Sequence, residues 1–360
     1  MYRIHGTVLP GGAQREIVVV DGRFTFDQVE GAETLLEDAV LLPGLVDVHA
    51  HLGLASPAAS GASERERAEA SAKAQLDAGV LAIREPGGPN RASTGIGPQI
   101  GLPRTVTAGR FLAPPGRYFP GLAREVSEDA LPDAAEEEFR SSGAWAKVIG
   151  DTPLPGPSWT RTYGADALAE AAARVHAAGG RIAIHCGVPE VIQDAIEAGF
   201  DSLEHGSFLQ PDQIAAAAER GIAWVPTRSI EAGIRDMMRD AGATPELLRD
   251  MEGRLDQQPE VLKLASDAGI TILAGTDAGM GPHGAIRHEI ELLLDAGLSS
   301  EVALGAGSWT ARTFLGLPGI EEGAPADLVA FREDPHDDLS ALADPVLVIL
   351  DRRLVRDPRM

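Results

Sequence analysis

The sequence predicts an α/β fold: a (β/α)8 TIM barrel with a small β-sandwich domain formed from both termini. Two observations predict it. Between residues 43 and 316, eight apolar strand-like runs alternate with Ala-rich helical stretches. Strands separated by helices pair in parallel through right-handed crossovers, and eight such units over about 260 residues suit a closed barrel. Outside that alternation, β-like pieces stand at both ends of the chain. They cannot extend the barrel, so residues 1–42 and 317–360 are expected to pair into the second domain, with 43–316 forming the barrel.

Taken in order, the chain opens with a strand over residues 2–8 and a second in REIVVVDGRFTF (16–26), where Asp21-Gly22 is a hairpin signal. The barrel strands are expected at LVDVHAHL (45–52), VLAIREP (80–86), RTVTAGRFL (104–112), WAKVIGD (145–151), RIAIHCG (181–187), DSLEHGS (201–207), IAWVPT (222–227) and TILAGTDAG (271–279). Between them, ADALAEAAARVHAAGG (165–180) and VPEVIQDAIEAGF (188–200) read as helices ending at glycines suited to a C-cap. SEDALPDAAEEEFR (127–140) reads as a solvated acidic helix. The tail returns to strands in ADLVAF (326–331) and PVLVILDRRLV (345–355). No internal repeat or long linker interrupts this order.

Composition narrows the function. The 360 residues are 44% apolar, enough for a large core, but only 4% aromatic, so Ala, Leu, Val and Ile must fill it. A formal charge of −23 argues against a nucleic-acid partner, because a polyanion would be repelled. The single cysteine, Cys186, leaves no internal disulfide and fits a reducing compartment. Neither a signal-peptide pattern nor an apolar run of about 20 residues stands in the chain, so a cytoplasmic protein with no membrane partner is expected. A small-molecule substrate is the expected partner, and a homo-oligomer stays open.

The chemistry lies at the ends of the predicted strands, where barrel active sites form. His49 and His51 are two apart after an apolar run, and residues i and i+2 of a strand share a face, so both rings can reach one point. Two converging imidazoles suit a divalent metal such as zinc. Lys147, His185, His205 and Asp277 then follow at the ends of strands four, five, six and eight. Each has an ordinary reading alone. A strand histidine is more often a satisfied core residue, and an Asp after AGT can simply close a turn. Lys147 is harder to dismiss, because lysine is almost never buried unpaired and here Trp145, Ala146, Val148 and Ile149 surround it. Six such placements in one chain point to a shared cause.

PGLVDVHAH (43–51), WAKVIG (145–150), IAIHCG (182–187), SLEHGS (202–207), LAGTDAG (273–279) and the tail GAPADLVAF (323–331) together resemble the amidohydrolase superfamily of metal-dependent hydrolases. The resemblance covers nearly the whole chain and favours the binuclear, prolidase-like and dipeptidase-like branch. It implies that His49, His51 and Asp277 hold one metal and His185 and His205 the other. Lys147, as a carbon dioxide-derived carbamate, would bridge the two divalent ions. Zinc leads the candidates, although manganese, iron and cobalt accept the same ligands. The implied reaction is attack of a metal-bridging hydroxide on an amide, in a dipeptide, an N-acyl amino acid or a cyclic amide. Asp277 would move the proton. A lactone or ester hydrolase could use the same centre. A mononuclear deaminase is disfavoured, because Cys186, Gly187 and Val188 follow His185 where that type usually carries a Glu.

Three further residues are expected on the active-site face: Tyr118 in PPGRYFPG, Arg228 in WVPTRS and His283 in GMGPHG, each a candidate to touch substrate. Arg84 and Glu85 are neighbours on strand two, so at most one faces inward, and neither is assigned to the site. Cys186, alternating with His185, should pack as a small apolar residue. His5, His176, His288 and His336 read as structural or solvent-exposed.

Overall fold

The computed structural model describes residues 1–153, 159–240 and 242–359. Strands from both ends of the chain share one seven-stranded sheet. Its order is Arg353–Arg356, Leu347–Leu350, Leu328–Phe331, Glu33–Pro43, Tyr2–Val8, Ala13–Val20 and Arg23–Thr25. All neighbours are antiparallel except Tyr2–Val8 and Glu33–Pro43, which run parallel with register shifts near Ile4. The predicted hairpin turn lies at Asp21 and Gly22, whose φ angles of 50° and 79° lie in the left-handed region that a two-residue turn needs to match the right-handed twist of its strands. Ile4, Ile17, Phe24, Leu41, Leu328 and Ile349 bury a core of their own on this sheet.

Two further sheets hold the parallel strands. Leu45–Asp47, Val80–Glu85 and Arg104–Thr107 form one. The other runs Thr271–Ile272, Ala223–Val225, Ser202–His205, Arg181–Cys186, Trp145–Ile149, Leu112–Ala113 and Arg124–Glu125. Backbone hydrogen bonds join the sheets where the first and last strands fray: Val48 N donates to Ala274 O at 3.1 Å and Asp277 N to His49 O at 2.7 Å. These strands read as continuous apolar runs rather than alternating ones because both faces are covered.

Two expectations change. The run 104–112 is two strands, not one: Arg104–Thr107 joins the first sheet and Leu112–Ala113 the second. Gly109 makes the break, with φ at 71°, and a Cβ there would stand 2.8 Å from a Glu138 carboxylate oxygen. The acidic stretch 127–140 is not wholly solvated either. Within its helix, Leu131–Ser142, Glu138 is fully buried and accepts from the guanidinium groups of Arg91, Arg110 and Arg124. Composition cannot distinguish a buried carboxylate with three cations around it from its exposed neighbours.

Helices fall where their signals place them. Ala165–Ala177 is followed by Gly179 with φ at 86°, and Pro189–Ala198 ends on Gly199 at 75°. Glu64–Asp77 opens on a Ser63–Glu66 capping box. Among the described residues no helix is long and apolar enough to cross a membrane.

Candidate metal centre

The strand ends bring all six predicted ligands together: His49, His51, Lys147, His185, His205 and Asp277 line one cavity. His49 and His51 have ring centroids 5.1 Å apart, and their Nε2 atoms lie 3.4 Å and 3.1 Å from Asp277 Oδ1. The rings of His185 and His205 are 4.5 Å apart, and those of His49 and His205 5.1 Å. One ligand atom each from His49, His205 and Asp277 falls within 4.8 Å of the others, close enough for a shared cation. His49 Nε2 and Asp277 Oδ1 are buried and make no hydrogen bond of good geometry. Orphaned buried polar atoms are rare, and a cation is the partner that both an imidazole lone pair and a carboxylate would take. The donor set therefore fits a divalent metal.

Protonation states agree. Burial lowers His51 and His205 and takes His185 to about 3, with Lys147 adding to the last, so these imidazoles are neutral, the form that ligates. Burial alone would raise Asp277, but His49 and His51 overcome it and hold the carboxyl well below its usual range. Burial brings the Lys147 ammonium down to about 8, against the opposing pull of Glu204.

Behind the ligands stands a second layer that sequence reasoning missed. Glu204 Oε2 lies 2.5 Å from His49 Nδ1, the geometry of a ring N–H donating to a carboxylate, and the other ring nitrogen, Nε2, is turned to Asp277. Glu204 is fixed in turn by Arg84 Nη2 at 2.6 Å and Ser202 Oγ at 2.5 Å. Although burial opposes it, Arg84 and Lys147 keep the Glu204 carboxylate ionised. His51 Nδ1 donates to Gly87 O at 2.6 Å, and His205 Nδ1 pairs with Thr227 Oγ1 at 2.7 Å. Asp47 accepts from His49 N and from both Thr276 N and Thr276 Oγ1, tying the Asp277 turn to the His49 strand. Asp151, held by Gly187 N and Val188 N, directs Oδ1 towards His185 Nε2 at 3.8 Å. His205, Thr227 and Asp277 all adopt positive φ, at 66°, 49° and 50°, a strain of about 1–3 kcal/mol each that such a network can hold.

The missed pair had a signal. Arg84 sits in VLAIRE as Lys147 sits in WAKVI, a charge inside an apolar strand, and the argument applied to Lys147 applies equally to it. Arg84 is the inward-facing member of its pair, while Glu85 is buried on the other face, where burial raises its carboxyl to about 8. Glu204→Gln should weaken metal binding by about 10–100-fold, the usual cost of losing the partner that orients a ligating histidine. Competition against a chromophoric chelator measures this, and unchanged affinity would remove Glu204 from that role.

Of the remaining candidates, Tyr118 lines the cavity, packed edge-on against Phe111 with centroids 5.4 Å apart, and burial raises its hydroxyl pKa. Arg228 Nη1 donates to Gln258 Oε1 at 2.9 Å and His283 Nε2 meets Ala55 O at 3.0 Å; neither lines the cavity. Cys186 packs into the main core, as its alternation with His185 predicts. His176 and His336 are exposed and pair with Asp201 and Glu301.

Comparison with known proteins agrees with this geometry. An uncharacterised protein of Mycobacterium tuberculosis is 35% identical over 357 residues, covering 97% of this chain and 94% of its own length. Ochratoxinase of Aspergillus niger is 30% identical over 163 residues, 44% of this chain and 33% of that enzyme. Among solved structures, a Xaa-Pro dipeptidase with methionine bound in its active site superposes with a TM-score of 0.83 at 21% identity, covering 99% of both chains. The A. niger ochratoxinase structure gives 0.80 at 20%, covering 99% of this chain and 96% of that one. The family model described as the amidohydrolase family matches residues 40–353. This chain, a hydrolase, belongs to the amidohydrolase family.

Proposed function

We propose that the protein hydrolyses a small-molecule amide with two divalent cations, zinc foremost, and that Lys147 carries a carbon dioxide-derived carbamate joining them. The observation that carries this reading is the buried Lys147 amine in one cavity with four histidines and the Asp277 carboxylate. His49, His51 and Asp277 would hold one cation, His185 and His205 the other. The structural neighbours, a Xaa-Pro dipeptidase and ochratoxinase, support an amide as the bond cut. Dipeptides, N-acyl amino acids and cyclic amides are the classes to try first.

The two parallel sheets are read as one (β/α)8 barrel over 43–316, supported by the Val48–Ala274 and His49–Asp277 backbone hydrogen bonds. The shared terminal sheet is read as the second domain, 1–42 with 317–360, folded over its own core as a sandwich. Its last strand supports this by returning to the chain ahead of Leu328–Phe331, with Phe24 N donating to Ala324 O at 2.9 Å.

When bound, the cations would polarise the substrate carbonyl and lower the pKa of a water from about 15.7 to about 7. The chain's own groups do the rest. Asp277, ionised and beside His49 and His51, accepts the proton of the attacking water on a carboxylate oxygen and passes it to the leaving nitrogen. Glu204 and Thr227 hold the His49 and His205 rings in place. Of the loop candidates Tyr118, Arg228 and His283, Tyr118 is the one in the cavity wall and the first to try as a substrate contact, while Arg228 and His283 stand outside that lining.

Metal content of the purified, metal-replete protein tests the reading, together with turnover on those amide classes. Two equivalents per chain and cleavage of an amide are expected. One equivalent with release of ammonia would turn the assignment to a mononuclear deaminase.

A further inference from the structure

A second cavity opens beside the first. It shares Trp159, His185, His205 and Ile234 with it and is walled otherwise mainly by apolar groups such as Phe208, Pro226, Met251 and Leu255; of its polar members, Thr227 and Gln258 are engaged by His205 and Arg228, and Ser207 carries no charge. The first cavity, lined by the same histidines, has Phe111, Tyr118, Phe119, Leu122, Ile230 and Met280 in its walls. The spaces measure about 560 and 770 Å3, open solvent included. Trp159 stacks over the His185 ring at 5.9 Å, with only 19° between the planes, and so stands between the two arms.

Among the described residues lining either arm, the only carboxylate is Asp277 and the only lysine or arginine is Lys147, and both belong to the metal centre with the four histidines. A substrate whose carbonyl reaches that centre therefore places a substituent against apolar walls on each side. A charged end would lose its water there and gain hydrocarbon and aromatic faces in exchange, which is costly. An uncharged apolar group gains from the same exchange.

We infer that the substrate is an amide bearing an apolar group on each side of the scissile bond and no charged terminus, one group in each arm with Trp159 between them. This rests on the amide-hydrolase reading and narrows it, setting aside free dipeptides and N-acyl amino acids in favour of neutral amides.

Ketomethylene analogues, in which CH2 replaces the amide N–H so that nothing is cleaved, test the inference on the metal-loaded wild-type protein. The matched pair is that of N-phenylacetyl-phenylalanine and that of its C-terminal carboxamide, which differ in one charge. By calorimetry the neutral analogue should bind about tenfold or more tightly. Equal or tighter binding of the carboxylate overturns the inference. Trp159→Ala should weaken the neutral analogue by about tenfold while Trp159→Phe keeps most of the affinity. Unchanged affinity in Trp159→Ala overturns the two-arm placement. Turnover of the parent amides is read separately. Cleavage of both without a charge preference overturns this inference and leaves amide hydrolysis standing. A binding preference without any cleavage overturns the hydrolase reading and leaves the substrate class standing.

Discussion

Lys147→Ala is expected to lose both bound metal and turnover. Cations that polarise the carbonyl supply several kcal/mol, and at about 1.4 kcal/mol per decade their loss removes about three decades or more of kcat/KM. The reason lies in the burial of the amine. With its pKa brought down to about 8, about a tenth of the side chain is the free base at pH 7, against less than about one part in a thousand for an ordinary lysine. Only the free base has a lone pair for carbon dioxide: the C–N bond forms, a proton leaves the nitrogen, and a carboxylate replaces an ammonium between two sets of histidines. Four imidazoles and one aspartate leave two dications poorly balanced, and the carbamate adds the missing anion where both cations would meet it. Metal content, turnover and melting temperature should be measured together. Short carboxylic acids added to the alanine variant should restore part of both metal and rate. A variant that keeps full metal content and turnover would show that Lys147 bridges nothing.

How much of this was legible depended on the distance over which the information is carried. The alternation of apolar runs with Ala-rich stretches is local, and it located the strands bearing Lys147, His185 and His205, while the strand expected over 45–52 stops at Asp47, two residues short of His49. The i and i+2 placement of His49 and His51 was equally local, and the rings do converge on Asp277. What failed needed partners remote in the chain. Arg84 meets Glu204 across 120 positions, and no periodicity relates them. Glu138 draws arginines from three separate segments, at Arg91, Arg110 and Arg124. The break at Gly109 is a packing demand of that same Glu138, so the run 104–112 reads as one strand until the helix behind it is in place. Trp159, the wall between the two arms, lies outside every strand and helix signal, and only the packing of loops against His185 shows its position.

Asp277→Asn is expected to separate proton transfer from metal binding. The amide keeps the size of the carboxylate and one oxygen donor, so the variant should hold metal, at reduced affinity, while kcat falls by about 10²–10⁴-fold, the range for loss of a general base. The carboxylate is ionised in the native protein because His49 and His51 outweigh its burial, so it holds no proton of its own when the water attacks. The leaving group distinguishes the two roles. An alkyl amine cannot depart as its anion, so its nitrogen must receive the proton that Asp277 took from water. A p-nitrophenolate departs unassisted. If Asp277 delivers that proton, the asparagine variant should lose far more rate on an alkyl amide than on a p-nitrophenyl ester bearing the same acyl group. If Asp277 serves only as a ligand, both substrates should lose rate equally and added metal should recover both. No second acid among the described residues lining the cavity is placed to substitute for it, so the loss on the amide should not be offset by raising the pH.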